Sequence, residues 1–235
     1  MTPLKNPNEL TVDLAENGAT TALVYEARDP RIDAAFILAH GAGAGQHSTF
    51  VVEFARALST LGLDVVTFNF PYTEQRRRIP DRGPVLEACF RAVIERARDR
   101  VASARDFLFI GGKSMGGRIA TQVAAADPSL PVSGLVLLGY PLHPPGKPAE
   151  RRDKHLPAIH HPVLFVQGSR DAFGTPEQLA PAIAAMQPFA TLSTVEDGDH
   201  SFKLRGKDPR QAGVFANIQQ DIVAWVRTVV TASAP

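Results

Sequence analysis

One short stretch of the sequence carries residues that could do chemistry: positions 111–120, which read GGKSMGGRIA. Two interpretations compete for it. A phosphate-binding Walker loop has the pattern G-x-x-x-x-G-K-[ST], and Lys113 and Ser114 match its last two positions. That pattern then requires glycine at position 107, where the chain has Phe107 inside an apolar run. The spacing therefore argues strongly against a phosphate loop.

The second interpretation is a nucleophile elbow, a strained turn between a strand and a helix that exposes a serine. It needs G-x-S-x-G directly after a strand, and Gly112, Ser114 and Gly116 supply this pattern after the apolar run DFLFI. Glycine at the two flanking positions removes side chains that would collide with the neighbouring strand or helix. Glycine-rich turns also occur for packing alone, so the residues able to activate Ser114 decide between the two roles.

A serine hydroxyl needs a general base, and that base needs an acid that fixes its tautomer. On such a fold the chain order is serine, acid and histidine, each in a loop after a strand. Asp171 follows the run PVLFVQG and His200 follows ATLSTVE, which predicts a triad of Ser114, Asp171 and His200. Three further acids lie close before His200, and at least one is predicted to cap backbone N–H groups of that loop. They are Glu196, Asp197 and Asp199.

Acyl transfer forms a negatively charged oxygen that needs two preorganised donors. One is predicted to be the backbone N–H of Met115, the residue after the nucleophile. The other is expected from the loop HGAGAGQHS, where Ala42 is the first choice and Gly43 the close alternative. His40 opens this loop, and we expect it to shape the loop and line the substrate site, not to act as the base.

Aromatic and basic residues near the same edge suggest what the site binds. Tyr72, Tyr140 and Phe173 are predicted to line an apolar acyl pocket with Phe50, and core packing is the alternative role of each. The basic residues either form solvated loops or attract an anionic acyl or ester substrate. They are Arg76, Arg77, Arg78, Arg82, Lys147, Arg151, Arg152 and Lys154. Three loop histidines either line the site or are solvated: His47, His143 and His155.

Two β-rich runs at the start and six later ones alternate with amphipathic stretches, which predicts an α/β fold. Most runs are continuously apolar, as strands buried on both faces are, so the sheet should be mostly parallel with helices on both faces. Asn17-Gly18 predicts a tight turn with positive φ at both residues, and hence an N-terminal antiparallel hairpin. We expect a single domain over residues 1–235, with residues 140–162 as a short lid-like loop.

Composition gives no sign of several classes of partner. The formal net charge is +1, which gives no reason to expect nucleic acid or an anionic membrane. No apolar run approaches the roughly 18–20 residues that span a bilayer, and the N-terminus lacks a secretory pattern, so a cytoplasmic location is predicted. The single cysteine, Cys89, excludes an internal disulfide and a thiolate metal cluster.

Taken together, several motifs resemble the α/β-hydrolase superfamily: HGAGAG, FNFPY, GGKSMGGR, YPLHPPGKP, VLFVQGSRDAFGTPEQL and DGDHSF. More narrowly, they resemble its dienelactone-hydrolase-like group, and within it the branch related to a testis-expressed protein and a subunit of the NSL chromatin complex. The resemblance covers roughly residues 34–230. It implies an eight-stranded sheet with a minimal cap, the Ser114–Asp171–His200 triad and no cofactor. Dienelactone hydrolases proper use a cysteine nucleophile, so Ser114 argues against dienelactone chemistry.

The leading prediction is a serine hydrolase that cleaves a small-molecule ester or related acyl compound through an acyl-enzyme on Ser114. A thioesterase or peptidase with the same triad is one alternative. The other is a non-catalytic scaffold that keeps the fold and binds a protein partner. Neither nucleic acid nor a membrane is expected as a partner, and the residues predict no oligomeric state.

Overall fold

The computed structural model describes residues 6–233, and its strands form one eight-stranded sheet. The strands are β1 (Asn8–Asp13), β2 (Ala19–Tyr25), β3 (Ala35–Ala39), β4 (Asp64–Phe68), β5 (Leu108–Lys113), β6 (Gly134–Leu138), β7 (Val163–Gly168) and β8 (Ala190–Val195). Their spatial order is β1-β2-β4-β3-β5-β6-β7-β8. β2 pairs antiparallel with both β1 and β4, and the remaining pairs are parallel. The predicted mostly parallel sheet with an antiparallel start is confirmed.

The helices connect these strands. In chain order they are α1 (Thr49–Thr60), α2 (Pro71–Glu74), α3 (Gly83–Arg100), α4 (Ser103–Asp106), α5 (Met115–Ala126), α6 (Pro176–Ala185) and α7 (Gln211–Ser233). Short 3₁₀ turns lie at Ala15–Asn17 and Leu156–Ala158. In the described part of the chain, no helix is both long enough and apolar enough to cross a membrane.

The central strand β3 shows why the sheet needs helices on both sides. All five of its residues are buried, and successive side chains of a strand point to opposite faces. Ile37 belongs to the core that includes residues of α3, α5 and α6, whereas Phe36 and Leu38 belong to the core of α1 and α7. The continuous apolar run of this strand therefore supplies two cores at once, as the sequence predicts.

The connection between β1 and β2 differs from the predicted tight turn. The ladder ends at the pair Asp13 and Ala19, so five residues form the loop. Positive φ falls on Ala15 and Gly18, at 52° and 80°, and not on Asn17. An Asp13 carboxylate oxygen accepts the N–H of Ala15, and the Leu14 N–H donates to the carbonyl of Gly18. These two bonds stabilise a wider loop than the Asn-Gly pair indicates.

The parallel strands place the predicted site residues on one edge. β5, β7 and β8 end at Lys113, Gly168 and Val195, and the carboxyl ends of parallel strands meet at the same side of a sheet. Residues 140–162 begin at this edge after β6 and contain the short turn Leu156–Ala158. A lid function for this segment stays a prediction.

Candidate active site

Ser114 occupies the turn between β5 and α5. It is the residue before the first helical position, and its φ of 51° with ψ of −113° lies in a region that L side chains rarely adopt. The neighbouring glycine explains how the chain fits there. A Cβ at Gly116 would lie 2.7 Å from the carbonyl oxygens of Ala39 and His40. Only glycine leaves room for the helix to start so close to β3, and Ser114 is thereby presented to the cleft described below.

Ser114, His200 and Asp171 form a continuous chain of hydrogen bonds. The Nε2 atom of His200 lies 2.9 Å from the Oγ of Ser114, and its Nδ1 lies 2.8 Å from Oδ2 of Asp171. With the proton on Nδ1, the imidazole donates to the carboxylate, and Nε2 is free to accept the serine proton. Three residues far apart in sequence thus have the geometry of a nucleophile, a general base and an orienting acid.

Asp171 is held by donors on both of its oxygens. Its Oδ2 also accepts the side-chain amide of Gln167 at 2.9 Å, and Oδ1 accepts the backbone N–H of Phe173 at 2.8 Å. Gln167 is itself fully buried, and its Oε1 accepts the N–H of Tyr140 at 2.8 Å. This network fixes the carboxylate of Asp171, whose side chain is fully buried. Gln167 was missed by the sequence analysis, although a single polar residue in the run PVLFVQG was the signal for it.

His200 is fixed from two sides. The ring of Phe173 lies against the imidazole with centroids 4.2 Å apart. Lys113 donates from Nζ to the backbone carbonyl of His200 at 2.6 Å. Burial lowers the pKa of the Lys113 ammonium from 10.5 to about 8, although the charges of Asp171 and Asp199 raise it. Lys113 therefore has a structural role in this loop that its position in the serine motif did not reveal.

One of the acids next to His200, Asp199, has the capping role that the sequence suggested. Oδ1 of Asp199 accepts the N–H groups of Ser201 and Lys203 at 2.8 and 2.9 Å. Asp197 forms an ion pair with Arg210 on the surface. Asp171, and not these residues, is the carboxylate within hydrogen-bond distance of the His200 ring.

Two of the three residues predicted to supply oxyanion donors line the same cleft as Ser114. Met115 begins α5, so its N–H belongs to the first helical turn, where donors have no partner within the helix. Ala42 and Gly43 are both exposed, but only Ala42 lines the same cleft as Ser114 and Met115. The loop is held by His40, whose Nδ1 donates to the carbonyl of Gly41 at 2.8 Å. Its Nε2 accepts the N–H of Phe70 at 3.1 Å, which ties the ends of β3 and β4 together.

The cleft in front of Ser114 has a volume of about 490 Å³. Apolar walls come from Phe50, Val51, Leu86 and Phe173, while Lys113, Arg118 and Arg152 add positive charge. In residues 6–233, no group of His, Cys, Asp or Glu side chains is arranged to hold a metal ion. The geometry thus suits a small organic molecule with an apolar part.

A family model of the alpha/beta hydrolase domain matches residues 32–227. The chain belongs to this family. Solved structures of other proteins superpose on almost the whole length of this α/β hydrolase. A serine hydrolase without lid from Xanthomonas campestris has a TM-score of 0.70 at 23% identity and covers 100% of this chain and 99% of its own.

Two further neighbours of this α/β hydrolase have named activities. An esterase domain from Rhodothermus marinus has a TM-score of 0.71 at 17% identity, with 96% of this chain and 100% of that domain covered. A dienelactone hydrolase from Anabaena variabilis has a TM-score of 0.70 at 19% identity, with 94% and 97% covered. At these identities the likeness shows a shared fold.

Three of the predicted substrate contacts need correction. His40, Tyr72 and Tyr140 are at most 1% exposed and do not line the cleft of this α/β hydrolase. His40 is instead a buried linker whose pKa is lowered by burial, more than the Gly41 contact raises it. The Tyr140 hydroxyl donates to the backbone carbonyl of Arg152 at 2.6 Å. Their positions near the ends of strands suggested that these three rings line a pocket. In the structure they are instead buried behind the cleft.

The predicted pocket aromatics Phe50 and Phe173 do line the cleft of the α/β hydrolase. The loop histidines do not. His143 is buried between Pro144 and Gln178, and His155 bonds to Thr121. His47 lies by a separate surface groove along α1.

Proposed function

We propose that the protein is a serine hydrolase that cleaves a small ester through an acyl-enzyme on Ser114. The observation that supports this most is the unbroken hydrogen-bond chain from Ser114 Oγ through His200 to Asp171. Membership of the alpha/beta hydrolase family and an esterase domain among the structural neighbours agree with it. We also propose the narrower relationship to the testis-expressed and NSL-complex branch, which rests on the motifs alone.

In the first half-reaction, Ser114 Oγ attacks the ester carbonyl carbon while Nε2 of His200 takes the serine proton. The carbonyl oxygen becomes negative and turns toward the N–H groups of Met115 and Ala42. The tetrahedral intermediate then collapses. The ester C–O bond breaks, and His200 gives its proton to the departing alcohol, which leaves an acyl group on Ser114.

In the second half-reaction, a water molecule loses a proton to His200 and its oxygen attacks the acyl carbon. The bond to Ser114 breaks, the serine regains the proton, and a carboxylic acid is released. Asp171 stays ionised throughout and stabilises the imidazolium that forms twice in the cycle. Its two further donors, Gln167 and Phe173, keep that carboxylate pointing at Nδ1.

A fluorophosphonate probe tests the nucleophile. The wild-type protein should be labelled and Ser114→Ala should not. Ser201→Ala is the matched control, since Ser201 borders the same cleft, and it should still be labelled. A folded wild-type protein that resists labelling and hydrolyses no 4-nitrophenyl ester would instead favour the scaffold role.

The leaving group is tested separately. Matched 4-nitrophenyl esters, thioesters and anilides of the same acyl group should be compared by kcat/KM. We expect the ester to be the best substrate. A clear preference for the thioester or the anilide would identify a thioesterase or a peptidase using the same three side chains.

A further inference from the structure

Two guanidinium groups border the cleft in front of Ser114. Arg118 lies in the first turn of α5, four residues after Ser114, and Arg152 comes from the segment 140–162. Both are half-buried. Arg118 donates to the side-chain oxygen of Gln122 at 3.1 Å, and this amide carries no charge. Across residues 6–233, the ion pairs with carboxylates include neither arginine.

The two positive charges are held near each other by the fold. Burial lowers the pKa of Arg118, and the neighbouring charge of Arg152 lowers it further. Arg152 is anchored through its backbone, since its carbonyl accepts the Tyr140 hydroxyl and its N–H donates to the carbonyl of Leu142 at 2.8 Å. Like charges in a partly desolvated place repel each other, so this arrangement costs free energy unless an anion lies between them.

The acidic groups nearby do not neutralise the pair. Of the residues described, Asp81 is the one carboxylate that lines the cleft, and its Oδ1 accepts Arg77 at 2.6 Å. Glu87 acts on Arg118 through its charge, without a hydrogen bond or an ion pair between them. The third cation of the cleft, Lys113, is engaged with the His200 carbonyl. A surplus of positive charge therefore remains where a substrate would lie.

We propose that Arg118 and Arg152 bind a carboxylate group of the substrate, so that the enzyme prefers half-esters of dicarboxylic acids to neutral esters. This rests on the proposed function, because Ser114 must attack the ester at the other end of the same molecule. Guanidinium groups are well suited to this task, since their N–H donors match a carboxylate and stay charged.

Most of the basic loop residues lie away from the cleft. Of the eight basic residues that the sequence singled out, Arg152 alone lines the cleft, and the other seven are exposed. Arg118 was not among the eight, because it sits in the serine motif. Selectivity for a charged substrate is therefore assigned to one residue of the helix and one of the 140–162 segment.

The test compares two substrates that differ in one charge. They are the 4-nitrophenyl half-ester of adipic acid and the same compound with its free acid masked as a methyl ester. The wild-type protein should show a higher kcat/KM for the charged ester, and Arg152→Gln should lower the charged-to-masked ratio by about 10- to 100-fold, the effect of one charge-assisted hydrogen bond. Arg118→Gln should act in the same direction, and Arg152→Lys should keep part of the preference.

Lys154→Gln is the matched control, because it removes one positive charge from the same segment at an exposed position. Its charged-to-masked ratio should equal that of the wild type. Equal kcat/KM for the two esters in the wild type would overturn the proposal. A ratio that neither Arg118→Gln nor Arg152→Gln changes would overturn it as well.

A binding experiment separates this proposal from the hydrolase itself. In a Ser114→Ala background, free adipate should bind in calorimetry, and adding Arg152→Gln should weaken that binding by about tenfold or more. Adipate binding without any ester hydrolysis would support the arginine subsite while the proposed function fails. Hydrolysis of neutral esters without adipate binding would keep the hydrolase and refute the subsite.

Discussion

Replacing Lys113 by methionine should remove a pH-dependent part of the stability. Burial lowers the pKa of the Lys113 ammonium from 10.5 to about 8. The folded protein therefore releases this proton near pH 8, whereas the unfolded chain keeps it to about pH 10.5. Between these values unfolding takes up a proton, so the free energy of unfolding rises with pH. Each pKa unit corresponds to about 1.4 kcal/mol, which gives about 2 kcal/mol between pH 7 and pH 9.5.

The assay is urea unfolding of the wild type and Lys113→Met at these two pH values. At pH 7 the variant lacks the charged hydrogen bond to the His200 carbonyl, but it also avoids the cost of burying an ammonium group. Because these effects oppose each other, the free energies of unfolding of the wild type and the variant should agree within about 2 kcal/mol. At the higher pH the wild type should gain about 2 kcal/mol over the variant. The variant's kcat should fall by about tenfold, because the loop that carries His200 loses its anchor.

Lys203→Met is the control for these measurements, since it removes an exposed ammonium from the same loop. Its effect on stability should stay within about 0.5 kcal/mol. If the difference between wild type and Lys113→Met were the same at both pH values, the claim that burial shifts this titration would be wrong.

Three other substitutions test the site. In Asp171→Asn, the new amide N–H group must face a group that also donates: the Gln167 amide, the Phe173 N–H or the His200 ring. The kcat for ester hydrolysis should therefore drop about 10⁴-fold, which is the size of the loss when this acid is changed in other triads. Gly116→Ala places a methyl group 2.7 Å from two backbone oxygens and should lower the free energy of unfolding, measured in urea, by about 1–3 kcal/mol. An unchanged free energy of unfolding would contradict the close packing of α5 against β3. Gln167→Met leaves the buried Tyr140 N–H without its acceptor and should cost about 2–4 kcal/mol, together with a lower kcat; full activity would show that Asp171 needs no such support.

The sheet and the meeting of Ser114, Asp171 and His200 could be predicted because their signals are local. Each buried strand is a short apolar run, and β3 is buried at every position. Ser114 stands in a five-residue motif, while Asp171 and His200 each follow such a run. Once the strands are parallel, the positions after them must lie on one edge, so the spatial meeting follows from the chain order.

The supporting residues could not be predicted in the same way, because their partners come from distant segments. Lys113 contacts a carbonyl 87 positions later. Gln167 joins Asp171 to the backbone of Tyr140, a bond that exists only after β6 and β7 have paired. A ring such as Tyr72 gives no local sign of whether it faces a cleft or the core, since both environments are apolar. The loop between β1 and β2 depends on the Asp13 side chain, which an Asn-Gly pattern ignores.

The backbone conformation of Ser114 sets a limit on how this protein can be stabilised. A residue with a side chain rarely adopts φ of 51° with ψ of −113°, and holding it there costs of the order of 1–3 kcal/mol. Glycine would relieve that cost at once, but it would also delete the hydroxyl. Under the proposed function, stability and activity therefore oppose each other at this one position, and a more stable variant that keeps the hydroxyl needs substitutions elsewhere in the chain.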